Sequence, residues 1–293
     1  MTKLGKNDSL NLNIGFRSCK EAKDLNQLSF EEWINGSGTS FEKTQKFWNL
    51  RAEEFSLSSK EKQKGMDEIY LYLKGKGLLV GTDSLLDLGC GPGKHALSFA
   101  SEAREVIGLD ISDKMIEIAE IEKEKLQIKN VMFEVGVWEN YDLKFKKWEN
   151  QFDLVFASMT PAVNSRASLM KMIEASKRDC FMSGFVSRKD SIKDELWELI
   201  YNRKKDTSND CKMLHAFNDL WRWEMYPEIV YKDKSWTREI PFDQAVEEYA
   251  LIFEGNNQKI RDTIKKHLDY KQNEGIISEF METKVAWLYW SVN

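Results

Sequence analysis

Leu85-Leu86-Asp87-Leu88-Gly89-Cys90-Gly91-Pro92-Gly93 decides the fold. It is a short apolar run with a single acid in it, followed by glycines at three alternate positions. Ser84 to Leu88 suits a buried parallel strand. Gly89, Gly91 and Gly93 let the backbone turn sharply and approach a bound group without Cβ clashes. Residues from Lys94 to about Glu102 follow as a helix, its first N–H groups facing the turn. Arg104 to Asp110 is a second strand, and Asp110 at its tip lies seventeen residues after Gly93. Strand, glycine turn, helix and acid-tipped strand together cradle a nucleoside, the acid accepting from the two ribose hydroxyls.

The glycine spacing narrows the nucleoside. Dinucleotide sites use G-x-G-x-x-G, and here the residue at the third glycine position is Lys94. Asp87, two residues before the first glycine, would repel a pyrophosphate but suits a cationic, amino-acid-like group. The pattern resembles motif I of the class I S-adenosylmethionine-dependent methyltransferases. The resemblance implies an α/β fold: a doubly wound, mostly parallel seven-stranded sheet with helices on both faces, its last strand antiparallel, plus an N-terminal helical lid. It also implies S-adenosyl-L-methionine as cofactor, bound by Asp87, Gly89, Cys90, Gly91, Gly93, Asp110, Ile111 and Met115.

Further along, a helix starts at Ser112 or Asp113, with Met115, Ile118, Ala119 and Leu126 on its buried face. Asn130 to Val135 alternates as a third strand. In the family a Gly-Asp pair often follows, its acid contacting the adenine amino group; here the pair is Gly136-Val137. Val137 and Trp138 are the expected adenine neighbours, with Trp138 either walling the adenine or packing as a core residue, and Glu139 a substitute acceptor. Phe152 to Ala157 is a fourth strand resembling motif IV, which places Ala157 beside the cofactor. Met159, Thr160 and Asn164 then line the acceptor pocket. The Asn-Pro-Pro-aromatic or Asp-Pro-Pro-aromatic signature of base-amine methyltransferases is absent, which lowers that chemistry. Residues 166–177 form a helix, 180–186 a fifth strand and 190–201 a helix.

Past Asn202 the β–α rhythm stops. Residues 203–227 are polar, then aromatic, and Trp221 and Tyr226 (with Trp223) are candidates for an aromatic wall. Residues 229–240 and 284–290 read as strands, and 242–253 and 258–270 as helices. On the N-terminal side, Phe47-Trp48-Asn49-Leu50-Arg51-Ala52 resembles the helix that lies over the cofactor in small-molecule members. Trp48 and Arg51 join the cofactor set, Arg51 to pair with a carboxylate of cofactor or substrate. The alternative is a packing helix with a surface arginine. A further helix covers 60–74. The expected organisation is a polar extension at 1–40, a lid at 41–75, a cofactor core at 76–202, an aromatic insertion at 203–227, and 228–293 completing the same domain.

Composition bounds the rest. The chain has 293 residues and net charge −5 with interleaved signs, which disfavours extended nucleic-acid binding. No apolar stretch approaches the ~18 residues of a membrane helix. Cys19, Cys90, Cys180 and Cys211 form no C-x-x-C pair, and with three histidines no metal site is expected. His95 reads as packing rather than catalysis. Ten tryptophans hint at a planar acceptor, although core packing explains them equally well. No residue identifies itself as a general base, so the catalytic set stays open. The expectation is a cytoplasmic enzyme of the methyltransferase class acting on a small molecule, with no membrane partner. The alternatives are methylation of a protein or RNA group, a nucleoside-binding module without turnover, and a nicotinamide-dependent dehydrogenase, which the glycine spacing opposes.

Overall fold

A computed structural model describes residues 30–36, 38, 40–62, 68–79, 84–203, 211–253 and 257–292. In chain order the elements are α1 (Phe30–Asn35), α2 (Phe41–Lys62), α3 (Glu68–Gly75), β1 (Ser84–Leu88), α4 (Lys94–Phe99), β2 (Glu105–Asp110), α5 (Asp113–Lys125) and β3 (Val131–Val135). A single 3-10 turn at Trp138–Asn140 leads to α6 (Leu143–Lys146), β4 (Phe152–Ser158), α7 (Arg166–Ala175), β5 (Ser176–Asp190) and α8 (Ser191–Tyr201). Then come α9 (Cys211–Arg222), β6 (Glu228–Pro241), α10 (Phe242–Ile252), α11 (Gln258–Lys271) and β7 (Ile276–Ser291).

Among the described residues, seven strands form one sheet in the order β3-β2-β1-β4-β5-β7-β6. The first five are parallel, and β7 runs antiparallel to both β5 and β6. The expected doubly wound sheet is therefore present. Successive residues of a buried strand serve opposite faces. Leu86 and Leu88 join a core with Trp33, Val155, Met172 and Leu220, while Leu85 joins another with Leu73, Phe99, Phe156 and Trp287. Ser112 caps α5, its side chain accepting from Met115 N–H, and Ser165 caps α7 through a reciprocal pair with Ser168. Among the described residues, no helix is long and apolar enough to cross a membrane.

Several features depart from the sequence expectation. Residues 211–222, within the aromatic insertion, are a helix for which the sequence reading assigned no element. β5 and β7 are far longer than their apolar runs: they stay paired from Asp179↔Ser291 to Asp190↔Met281. The outer part of β7 alternates Ile277, Glu279, Met281, Thr283 inward, so a buried acid disguises the strand period. This projecting ribbon carries a core of its own, in which Leu196, Ile240, Tyr249, Ile264 and Ile277 pack together under α8, α10 and α11. It extends from the carboxyl end of β5, so a cap stands on the side where the glycine turn lies. The helix expected at 60–74 begins at Glu68, and its Met66 lies outside the described residues, as does the 1–29 part of the N-terminal extension.

The last departure is α1. Trp33 is completely buried and donates its indole N–H to Asp219 at 2.6 Å. Arg166 clamps the same carboxylate at 2.9 and 2.5 Å. Truncating a buried tryptophan costs about 3–5 kcal/mol. Urea denaturation of Trp33→Ala should show a loss of that size, and Trp33→Phe roughly 1 kcal/mol from the lost hydrogen bond. A loss under 1 kcal/mol for the alanine variant would mean that α1 is not docked.

Candidate active site

The chain leaves β1 for β2 and β3, then returns to place β4 on the other side of β1. Ligands of such sheets sit at the carboxyl ends of the strands where the order reverses. At that point Gly89, with φ +65°, follows β1, and Met159 and Thr160 follow β4. The two loops interlock: a Cβ on Gly89 would lie 1.8 Å from Thr160 Oγ1. Gly93, at φ +80°, is closed off by Phe133 and Ala119, whereas Gly91, at φ +54°, faces open space. The glycine loop thus has two crowded ends and a bare centre, a cradle that a side chain would fill. Gly89 and Cys90 both donate to Leu109 carbonyl, at 2.7 and 3.1 Å, which ties the loop to β2.

Asp110 reinforces the tie. Its carboxylate accepts from Gly91 N–H at 2.9 Å and Ser112 N–H at 2.8 Å. Each oxygen keeps acceptor capacity. Asp87 is 1% exposed, and one of its oxygens has no partner among the described residues. Burial, then the charge of Asp110, pushes its pKa up to about 8, against a bond from Ala96 N–H. A buried carboxyl with one unpartnered oxygen beside a bare glycine loop suits an ammonium, as its charge led us to expect. Burial also raises Asp110 and, strongly, the Cys90 thiol, whose hydrogen goes to Gly91 carbonyl.

α2 crosses this mouth. Gln45 donates to Ile111 carbonyl at 2.9 Å, and Asn49 both donates to Asp113 (2.8 Å) and accepts from Ser112 Oγ (2.6 Å). Sequence reasoning missed both residues; their i, i+4 spacing on the lid helix was the available signal. Trp48 stacks edge-on against Phe47 and Phe55. Arg51 is not a surface arginine: it lies 5.2–5.7 Å from the Phe47, Trp48 and Phe55 ring centres and reaches Glu54 at 3.4 Å. Burial and neighbouring Arg238 lower its pKa.

The remaining candidates divide. Ala157 and Met115 are buried near the loop ends, and Ile111 lies between Asp110 and Ser112. Val137 starts the 3-10 turn on the β3 side. Trp138 is a core residue: 2% exposed, it donates to Ser168 carbonyl at 3.1 Å, and the geometry supports packing over stacking on adenine. Glu139 is half-buried, and burial raises its pKa. Met159 adopts φ +54° at the tip of β4 and is 38% exposed. Thr160 accepts from Ala162 N–H, and buried Lys212 donates to its carbonyl at 3.0 Å. Asn164 donates its N–H to Ser168 at the start of α7. Trp221 and Tyr226 do not join this group: they pack edge-on against each other, both over half exposed, at the far end of α9. Nine residues separate Trp221 from Lys212, about 13 Å along a helix. His95 packs between Phe99 and Phe156.

The family model described as "Methyltransferase domain" matches residues 79–242. An uncharacterised RNA methyltransferase of Listeria monocytogenes serotype 4b is 35% identical over 85 residues, 29% of this chain and 18% of that protein. The release factor glutamine methyltransferase of Buchnera aphidicola subsp. Schizaphis graminum is 34% identical over 116 residues, 38% of each. The crystal structure of YcgJ from Bacillus subtilis superposes with TM-score 0.46 at 18% identity, over 76% of this chain and 98% of that one. The chain thus spans about a fifth to two fifths of the length of these curated relatives. The expectation against a nucleic-acid partner gains no support from these names. The chain belongs to the methyltransferase-domain family, in the class that uses S-adenosylmethionine.

Asp87 gives a pH signature. Its raised folded-state pKa means that the folded chain keeps a proton the unfolded chain releases above about pH 4. Ligand-free stability attributable to Asp87 therefore falls from about pH 4 to 8 and levels off above. Asp87→Asn should remove that slope, so the Tm difference between variant and wild type widens in the variant's favour up to pH 8. Affinity for S-adenosylhomocysteine runs the opposite way, rising with pH towards 8 in wild type and staying low in Asp87→Asn. Thermal unfolding and calorimetry across pH 5–9 check both; parallel Tm curves would contradict the assignment.

Proposed function

We propose that this chain transfers a methyl group from S-adenosylmethionine to a small-molecule acceptor. The observation that carries the reading is the double anchoring of α2. At one end Gln45 and Asn49 hold it to the tip of β2. Further on, Arg238 of the cap donates to Glu54 at 2.7 Å, and Gln244 of α10 donates to Leu50 carbonyl at 3.3 Å. A mouth covered by a lid joined to a cap suits an acceptor that fits inside.

Bound S-adenosylmethionine supplies an electrophilic methyl on a sulfonium, and the protein supplies position and electrostatics. Asp87 takes the ammonium and Asp110 the ribose hydroxyls. Gly91 lets the backbone approach, and Arg51, held in its aromatic collar, faces the carboxylate. Ile111, Met115, Val137 and Ala157 supply apolar walls. Positioning of this kind is worth ~7–11 kcal/mol of the barrier. Around the β4 tip the Ser158 and Ser183 hydroxyls lie 2.8 Å apart, and the one ionisable side chain described there, Lys212, donates to the Thr160 carbonyl and is no base. That suits an acceptor attacking through a lone pair, with no side chain assigned as base.

Incubating the protein with methyl-tritiated S-adenosylmethionine and a cell extract tests the reading. Label should appear in the small-molecule fraction and be lost with Asp110→Ala, whose affinity for S-adenosylhomocysteine falls at least about tenfold. Label in RNA or protein would overturn the acceptor class. Tight cofactor binding with no label anywhere would favour a binding module.

A further inference from the structure

A second polar site is built into the cap, where an apolar core would otherwise lie. Arg238, 8% exposed, donates to both oxygens of Glu248 at 2.7 Å and lies 3.7 Å from Glu279. Tyr249 donates its hydroxyl to Glu279 at 2.5 Å. Arg188 donates to one oxygen of Asp190 at 2.7 Å. The other Asp190 oxygen is buried and has no partner among the described residues, in a side chain only 1% exposed. Pairing joins these groups across the ribbon: Asp190 opposes Met281, and Arg238 opposes Glu279 two residues away on the same face of β7.

The charges do not balance. Asp190, Glu248 and Glu279 face Arg188 and Arg238, which leaves one negative charge in surplus. Arg51 and Glu54 at the edge pair with each other. A buried surplus charge costs far more than a surface one unless a counter-charge neutralises it. Burial, and Asp190 beside it, raise the pKa of Glu279.

We propose that this cluster is the subsite for a single alkylammonium group carried by the methyl acceptor, bound by the free oxygen of Asp190 with Glu279 beside it. This rests on the small-molecule reading above. The ammonium is the handle by which the acceptor is held, not the attacking atom. α2 links the two sites: Glu54 at the edge of the cluster is five residues from Asn49 at the tip of β2, about 7.5 Å along the helix. An acceptor whose cationic group and nucleophile are separated by a short chain spans that interval.

The test is thermal unfolding of the full chain with methyl-, ethyl-, propyl- and butylammonium chloride at about 10 mM, with and without S-adenosylhomocysteine. Sodium chloride plus the matching alcohol is the control. Ligands this small reach millimolar affinity at best. At least one amine should raise the wild-type Tm by about 2 °C over its control. Asp190→Asn and Glu279→Gln should each lose the shift while keeping affinity for S-adenosylhomocysteine within about twofold of wild type. If one variant fails to fold, the other carries the comparison. If no amine moves the wild-type Tm beyond its control, or if the variants respond as wild type does, the subsite is overturned. Absent S-adenosylhomocysteine binding with a persisting amine shift would instead sink the cofactor reading and leave the subsite standing.

Discussion

One carboxylate holds the cofactor half together. Asp110 takes a hydrogen bond from the centre of the glycine loop and another from the first residue of the α5 cap, so β1, β2 and α5 meet at a single side chain. Hydrogen bonds to charged groups are worth about 1.5–3 kcal/mol each. With Asp110 in place the loop turns back on Leu109, Thr160 closes over Gly89, and the bare face of Gly91 opens to the ligand side. Asp87 stands apart: buried, with one oxygen unpartnered among the described residues, and beside a like charge. Burial disfavours the charge on both acids, but backbone N–H groups offset part of it at Asp110, whereas Asp87 keeps a free oxygen for a ligand.

The lid and the cap are tied to this centre by polar bonds rather than by apolar area. α2 touches the cofactor half through Gln45 and Asn49 and the cap through Glu54 and Leu50. Arg238 is shared between the lid and the interior of the cap, bonded to Glu54 and Glu248 together. Polar contacts of this kind are directional, and breaking one leaves a buried partner unsatisfied. α2 is therefore fixed at both ends by directional bonds.

The sequence was legible where its period was clean. β1 runs over Ser84–Leu88 as read, β2 and β3 lie within a residue of their expected bounds, and Ser112 is the α5 cap. The glycine loop and its two acids stood out because glycine spacing and strand-tip acids are local patterns. The projecting ribbon did not stand out, since Glu279 and Arg238 occupy inward positions that the alternation rule reserves for apolar side chains. α1 was hidden for a different reason. Its single buried anchor, Trp33, gains its partner from Asp219, 186 residues away, and no local pattern records that contact. Trp221 and Tyr226 looked like a wall because they are aromatic; only the axis of α9 shows that they lie away from Thr160.

The central claim is that the unpartnered oxygen of Asp87 is reserved for the ammonium of an amino-acid-bearing nucleoside. Comparing the affinities of S-adenosylhomocysteine and 5′-methylthioadenosine by calorimetry tests it most directly. The two share adenine, ribose and a thioether, and only the first carries the amino acid. A preference for S-adenosylhomocysteine of at least about 10-fold, or 1.4 kcal/mol, is the predicted result. Equal affinities would contradict the account, because Asp87 would then bind nothing the nucleoside brings.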